Sequence, residues 1–568
     1  MKNNRMSLKP CLLLLIWGFC FSFGANSQGS GDTAFVYVNA GKALDSMKPV
    51  WAWFGYDEPN YTYMKDGKKL LSELAALSPV PVYVRAHNLL TTGDGTPALK
   101  WGSTNVYRED VNGDPVYYWN IVDSIFDTYV KRGMKPLAQM GFMPEALSIN
   151  PLPYQHHWQP GQRYGTINTG WRYPPKDYAK WGDLIYQWVK HCTERYGKAE
   201  VESWYWELWN EPNSSYWGGT VQEYCKLYDY SAAAVKKALP TAKVGGPHVT
   251  GPSGKGAADF LKTFIQHCFH DTNYVTGKIG TPVDFIAFHA KGAPKIVNGH
   301  VRMNVGTQLR DISSGFSIVA SYPETKDLPI IIGESDPEGC AACGMATNPE
   351  NAYRNGTMYS SYTAASFARK YLLNDYYHVN FLGAVSWSFE FEDQPWFYGF
   401  RDLATNGVDK PVLNVFRMFA MMKGKRVEVE GSKMYPLLSI RDSSVRLGND
   451  VGGMAAKDKN SCTILLWNYH DDDTSGVPEL LSVQVKDLRA KNIKVTQYRI
   501  DKEHSNSYET WKKMGSPQQP TTGQIAMLEK AGQLQLMTEP VKVAKKNDVW
   551  IYNFSLPRQA VALLKLEW

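Results

Sequence analysis

Between about residues 48 and 425, eight short apolar runs alternate with longer segments of helical pattern, and this alternation most restricts the possible folds. The runs at 51–55, 80–86, 135–141, 204–210, 243–247, 285–289, 329–333 and 382–389 read as strands. Helical patterns lie between them, for example at 118–131, 176–196, 221–239 and 353–373. Strands that point the same way need a long crossover, and eight strand–helix units in one stretch predict an α/β fold, the (β/α)8 TIM barrel. An open doubly wound sheet is the alternative, but no glycine-rich phosphate loop follows any of the strands.

Past Lys425 the pattern changes. The runs at 462–469, 481–485, 493–500 and 549–554 are short, alternating and rich in Val, Ile and Tyr. They predict a C-terminal antiparallel β-sandwich over 426–568. An isolated strand at 35–39 is expected to add to the edge of that sandwich, so 28–47 belongs with it and 48–425 forms the barrel. No repeat or long linker separates the two parts, which are expected to pack firmly together.

Residues 1–27 read as a secretory signal. Lys2, Arg5 and Lys9 precede an apolar run at 11–23, and small residues follow around Ala25 and Ser27. The run is short for a membrane span, so the mature chain is expected to be exported to the periplasm or beyond, with no stable membrane insertion. Cys11 and Cys20 would leave with the signal, and six cysteines in so long a chain are not a disulfide framework. Cys340 and Cys343 are the one suggestive pair. Export favours a local disulfide there, and no second Cys or His pair at zinc spacing accompanies them. The formal charge of +6 is modest and no Lys/Arg block stands out, which argues against nucleic acid as a partner. The aromatic share of 13 per cent is high, and aromatic faces suit sugar rings as well as protein cores.

The fourth run ends at Asn210-Glu211-Pro212. Proline cannot donate to a strand ladder, so Glu211 is expected at the strand's C-terminal tip, where barrel enzymes place their chemistry. Trp204, Trp206 and Trp209 are expected to surround its carboxyl and raise its pKa, as a general acid requires. A surface glutamate after an ordinary strand is the bland reading. The seventh run, a β-branched stretch from Pro329 to Gly333, is followed by Glu334. Alone, this residue could simply favour a helix dipole. Paired with Glu211 across a barrel mouth, it suits a retaining glycosidase, in which one carboxyl protonates the leaving oxygen and the other attacks the anomeric carbon.

Other strand tips offer groups that could hold a sugar: Arg85 and His87 after strand two, His289 and Lys291 after strand six, and Trp387 on strand eight. Singly, each has an ordinary structural role. Their shared end of the barrel points to a site. Asn210, beside the acid, is placed to contact the hydroxyl next to the anomeric carbon.

These residues carry a family resemblance. Trp209-Asn210-Glu211-Pro212 on strand four and a glutamate ending strand seven resemble the large retaining clan of βα-barrel glycosidases. Within it the chain is similar to glycoside hydrolase family 39, the β-xylosidases and α-L-iduronidases. Gly141 to Pro144, Gly245 to Pro247, Lys410 to Val412 and the tail motif from Tyr498 to Asn506 look like that family. The resemblance implies Glu211 as acid/base and Glu334 as nucleophile. The segments around His87, from Asp284 to Ala293 and from Glu334 to Pro337 are similar to the α-L-iduronidase versions, in which the residue matching Lys291 lies in the substrate pocket. An arginine after strand eight helps bind the sugar carboxylate in that branch, and Arg401 is the positional candidate. The loop from Pro337 to Cys343 departs from both branches.

The resulting expectation is an exported, retaining glycosidase that removes terminal sugars, β-D-xyloside or α-L-iduronide-like, from an oligo- or polysaccharide. Carboxylate chemistry supplies both nucleophile and proton donor, so no cofactor or metal is required. An endo-acting enzyme and a catalytically silent carbohydrate-binding protein are the alternatives.

Overall fold

The structure, a computed structural model, describes residues 33–568 apart from 78, 79, 491 and 544. The expected export signal lies outside the described residues. Eight parallel strands close a barrel in chain order: Trp53–Tyr56, Tyr83–Ala86, Lys135–Met140, Tyr205–Leu208, Lys243–Val249, Phe285–His289, Pro329–Glu334 and Asn380–Trp387. The last pairs with the first, Val385 against Trp53. All eight fall on the runs expected from the sequence; Phe285–His289 coincides with its run, and the others differ by only a few residues at their ends.

The floor of the barrel is aromatic. Trp53 stacks on Tyr83 with ring centroids 4.0 Å apart, Tyr83 meets Tyr205 at 5.4 Å, and Tyr205 meets Phe285 at 5.4 Å. Glycines opposite make the room: a Cβ on Gly383 would lie 2.2 Å from the Trp53 ring, and one on Gly245 would lie 2.7 Å from Phe285. Large rings against missing side chains is how a closed barrel fills its interior at normal density. Above that floor the interior turns polar, with Arg85, Glu207 and His248 fully buried.

A second, mostly antiparallel sheet of ten strands follows the barrel, and side chains from both of its halves meet in one core. Ala34–Ser46 is not at the edge, as the sequence suggested. It lies inside the sheet, antiparallel to Lys425–Gly431 and parallel to Glu479–Lys486. The buried alternation of Ala34, Val36 and Val38 explains the placement, because an edge would leave one row of backbone groups unpaired. The barrel and the sheet share one hydrophobic core. The helix Thr357–Tyr377 is buried on nearly every face and packs between them. Two helices in the tail, Ser507–Lys513 and Thr522–Gly532, cover Trp396 and Phe397 near the barrel mouth. Among the described residues, no helix is long and apolar enough to cross a membrane.

Candidate active site

Alternation along the fourth barrel strand decides what faces inward. Tyr205 and Glu207 point into the barrel. Trp204 and Trp206 point out, against Phe126 and Trp188 in the helix layer. Trp209 packs on Phe142 and Trp217. The three tryptophans therefore do not surround Glu211, contrary to expectation. Past the strand the backbone turns sharply: Trp209 and Glu211 both have positive φ, 64° and 44°. Such conformations are costly for residues with side chains and concentrate at functional sites.

The turn sends the Glu211 carboxylate over the barrel mouth toward the sixth and seventh strands. Its Oε1 lies 3.0 Å from His289 Nδ1 and 3.5 Å from Lys291 Nζ. Glu334, at the tip of strand seven, pairs with Lys291, accepts from Arg85 Nη1 at 3.2 Å, and lies 3.6 Å from His87 Nε2. One oxygen of each carboxylate and a ring nitrogen of His289 all fall within 4.8 Å of one another. Among the described residues this trio alone has donor atoms grouped as a metal ion would need. The Lys291 ammonium already brings a cation against both carboxylates.

Electrostatics follow from that geometry. Burial alone would push the Glu211 carboxyl up, but Lys291 and the His289 hydrogen bond outweigh it, and the net displacement is below the ordinary value. The expected upward shift is thus corrected: the neighbours are cationic and polar, not indole rings. Burial acts the same way on Glu334, and Lys291, His289, His87 and Arg85 together hold it far below the usual carboxylate range. A carboxylate kept ionised is the consequence.

Beneath the carboxylates lies a buried ionic layer. Arg85 donates from Nε to Glu207 at 2.6 Å and from Nη2 to Asn210 at 3.1 Å, while His248 Nε2 sits 2.5 Å from Glu207. Burial drives His248 down to about 4, so its imidazole is neutral. Arg85 and His87 thus act under the cavity rather than on its wall. The cavity itself, about 480 Å³, is lined by Asn210, Glu211, His289, Lys291, Glu334 and Trp387, as expected. Arg401 does not line it. Its guanidinium is taken up by Trp387 O at 2.7 Å and Glu338 at 3.0 Å, behind the loop that follows Glu334.

That loop carries the Cys340–Cys343 disulfide, and Cys340 and Gly339 form part of the cavity wall. Arg354, fully buried, donates to the carbonyls of Cys340, Ala341 and Cys343. Sequence reasoning also missed Asp57, Lys100, Tyr164 and Tyr216 on the opposite wall. One signal was available: Asp57-Glu58-Pro59 ends the first strand much as Asn210-Glu211-Pro212 ends the fourth.

The family model of the glycosyl hydrolases family 39 matches residues 35–546. The chain belongs to glycosyl hydrolases family 39. It is accordingly a glycosidase, and its substrate a carbohydrate. A beta-xylosidase of Caldicellulosiruptor saccharolyticus is 26% identical over 542 residues, covering 93% of this family 39 chain and 97% of the relative. An alpha-L-iduronidase of Mus musculus is 26% identical over 409 residues, covering 65% of this chain and 58% of that one. In fold, the chain is similar to a monomeric beta-xylosidase from Caulobacter crescentus, with a TM-score of 0.71, 20% identity, and 94% and 99% of the two chains covered.

Proposed function

We propose that this family 39 glycosidase is a retaining enzyme that removes terminal sugars through a covalent glycosyl-enzyme. The separation of the two carboxylates carries the reading: within 4.8 Å, they match the ~5 Å of retaining enzymes and leave no room for the water that an inverting enzyme places between them. Glu334 attacks the anomeric carbon, and Glu211 gives its proton to the departing glycosidic oxygen. Glu211 then takes a proton from the water that cleaves the ester.

The same neighbours cycle the proton. While Glu334 is ionised its negative charge raises the affinity of Glu211 for a proton. Once Glu334 is esterified that charge is gone, Lys291 and His289 still face Glu211, and Glu211 becomes the carboxylate base the second step needs. Asn210, fixed by Arg85, is available to the hydroxyl at C2.

The sugar is of the xylose or iduronate stereochemical class, since relatives of both activities match. Lys291 is not a vacant anion site in the free protein; a uronate carboxylate would have to draw it from Glu211 and Glu334. Action outside the cytoplasm is supported by the Cys340–Cys343 disulfide, which suits an oxidising compartment. The test is a panel of aryl glycosides (β-D-xyloside, α-L-iduronide, α-L-arabinoside, β-D-galactoside) on wild type and Glu334→Gln. A 2-deoxy-2-fluoro analogue of the sugar that turns over should trap an adduct on Glu334. Release of the inverted anomer, or an adduct elsewhere, would defeat the assignment.

A further inference from the structure

At the wall of the cavity formed by the loops of strands one to four, a second buried ion pair faces the site. Lys100 Nζ pairs with Asp57 Oδ2, and Asp57 Oδ1 accepts from His87 Nδ1 at 2.8 Å. Both residues line the cavity, although they are 5% and 7% exposed. His87 in turn stands 3.6 Å from Glu334 Oε1, so the pair is one imidazole away from the nucleophile. The surroundings fix it in place. Lys100 has a positive φ of 58°, and its backbone N–H donates to Glu58 at 2.7 Å. Its ammonium lies 5.4 Å over the ring of Tyr164, whose hydroxyl meets that of Tyr216 at 2.6 Å.

Such a pair is a poor way to stabilise a fold, since well-packed apolar residues of equal volume usually do as well or better. It also has capacity left over. A carboxylate has about four acceptor sites and an ammonium three protons; the two bonds to Asp57 use about half of its sites. The charges cancel, so this wall does not attract an anion. It presents an acceptor and a donor side by side, the complement of two neighbouring hydroxyls.

We infer that Asp57 and Lys100 read the C3 and C4 hydroxyls of the terminal sugar and close the cavity at its non-reducing end. This rests on the glycosidase reading of the same cavity. With the anomeric carbon between Glu211 and Glu334, C4 is the ring position farthest from the reacting bond, and C3 is its neighbour that carries a hydroxyl. Selectivity for an unsubstituted terminal sugar follows, because a glycosylated or sulfated C3 or C4 would leave the buried pair unpaired or in collision.

The test uses the full chain, with 3-deoxy and 4-deoxy analogues of whichever aryl glycoside it hydrolyses, on wild type and the double variant Asp57→Ala/Lys100→Met. The double variant removes both charges and so avoids stranding one. Wild type should lose about 100-fold in kcat/KM on at least one deoxy analogue, the scale on which loss of one hydrogen bond to a charged group is felt. In the double variant that penalty should vanish, with the parent substrate falling to the level of its deoxy analogue. Equal kcat/KM for parent and deoxy analogues in wild type would overturn the inference without any variant, and would leave the glycosidase reading intact. A penalty that persists in the folded double variant would also overturn it. Calorimetric titration of the monosaccharides and their deoxy forms separates the two claims. Binding that depends on the C3 or C4 hydroxyl and on Asp57, without hydrolysis, would support this inference and defeat the catalytic one. Absence of both binding and turnover would defeat both.

Discussion

Lys291 Nζ lies 3.5 Å from Glu211 Oε1, and the same ammonium pairs with Glu334. One cation thereby faces both carboxylates, the acid and the nucleophile of the proposed mechanism. It lowers the proton affinity of each carboxyl against the upward pull of burial.

The pH profile is the direct readout. The proposed mechanism requires Glu334 ionised, which sets the acid limb of kcat/KM, and Glu211 protonated, which sets the alkaline limb. Removing a cation raises the pKa of both groups. Lys291→Met should therefore move both limbs to higher pH, whatever it does to the maximum. An alkaline limb that stays at its wild-type position would show that Lys291 does not govern Glu211.

Glu211→Ala should discriminate by leaving group. Loss of a general acid costs about 10²- to 10⁴-fold where the departing oxygen needs a proton. It costs little where the leaving group departs as an anion, as dinitrophenolate does. Rates on a series of aryl glycosides of falling phenol pKa measure this. A uniform loss across the series would remove Glu211 from the acid role.

Much of this was legible in the chain. The eight barrel strands announced themselves because each is a buried apolar run bounded by polar turns. Glu211 and Glu334 did so because each follows such a run, at the end where barrel strands deliver side chains. What stayed hidden has physical reasons. Asp450–Lys457 is a full strand despite Gly452 and Gly453, since a Cβ at either would collide with Trp467 or Leu465. Packing, not propensity, decides there. Asp57 and Lys100 stand 43 positions apart on different loops, and only barrel closure brings them together. Glu207 was passed over because it sits between tryptophans, whereas alternation turns it inward to hold Arg85.

Gly55 supports the site from below. A Cβ there would lie 2.4 Å from the Trp387 ring and 2.9 Å from Arg85 O. Trp387 is also held by the Arg85 guanidinium, 4.8 Å from its ring centroid, and by His87. Gly55→Ala must push the indole toward the cavity. Overpacking of this kind costs about 1–3 kcal/mol. KM should rise about 10-fold, on the scale of 1.4 kcal/mol per decade, and the melting temperature should fall. A lowered melting temperature with unchanged KM would put Trp387 out of the substrate's reach.

Asp450 ties the barrel to the sheet. Asp450 Oδ1 accepts from Arg369 Nη2 at 2.8 Å and from Tyr435 N at 2.8 Å, and its Oδ2 accepts from Trp467 Nε1 at 2.8 Å. Arg369 belongs to the barrel helix Thr357–Tyr377, whereas Asp450 and Trp467 belong to the sheet; both charges are fully buried. Asp450→Ala leaves a guanidinium buried without its counter-ion, which costs about 3–5 kcal/mol. Asp450→Asn removes the charge but keeps an acceptor, so it should cost less. Because the helix is shared by both cores, neither part can lose it alone. Scanning calorimetry should therefore show one transition in wild type, displaced downward as a whole in Asp450→Ala, with activity lost in that same transition. Two separate transitions, only one of them displaced, would show that the barrel stands without the sheet.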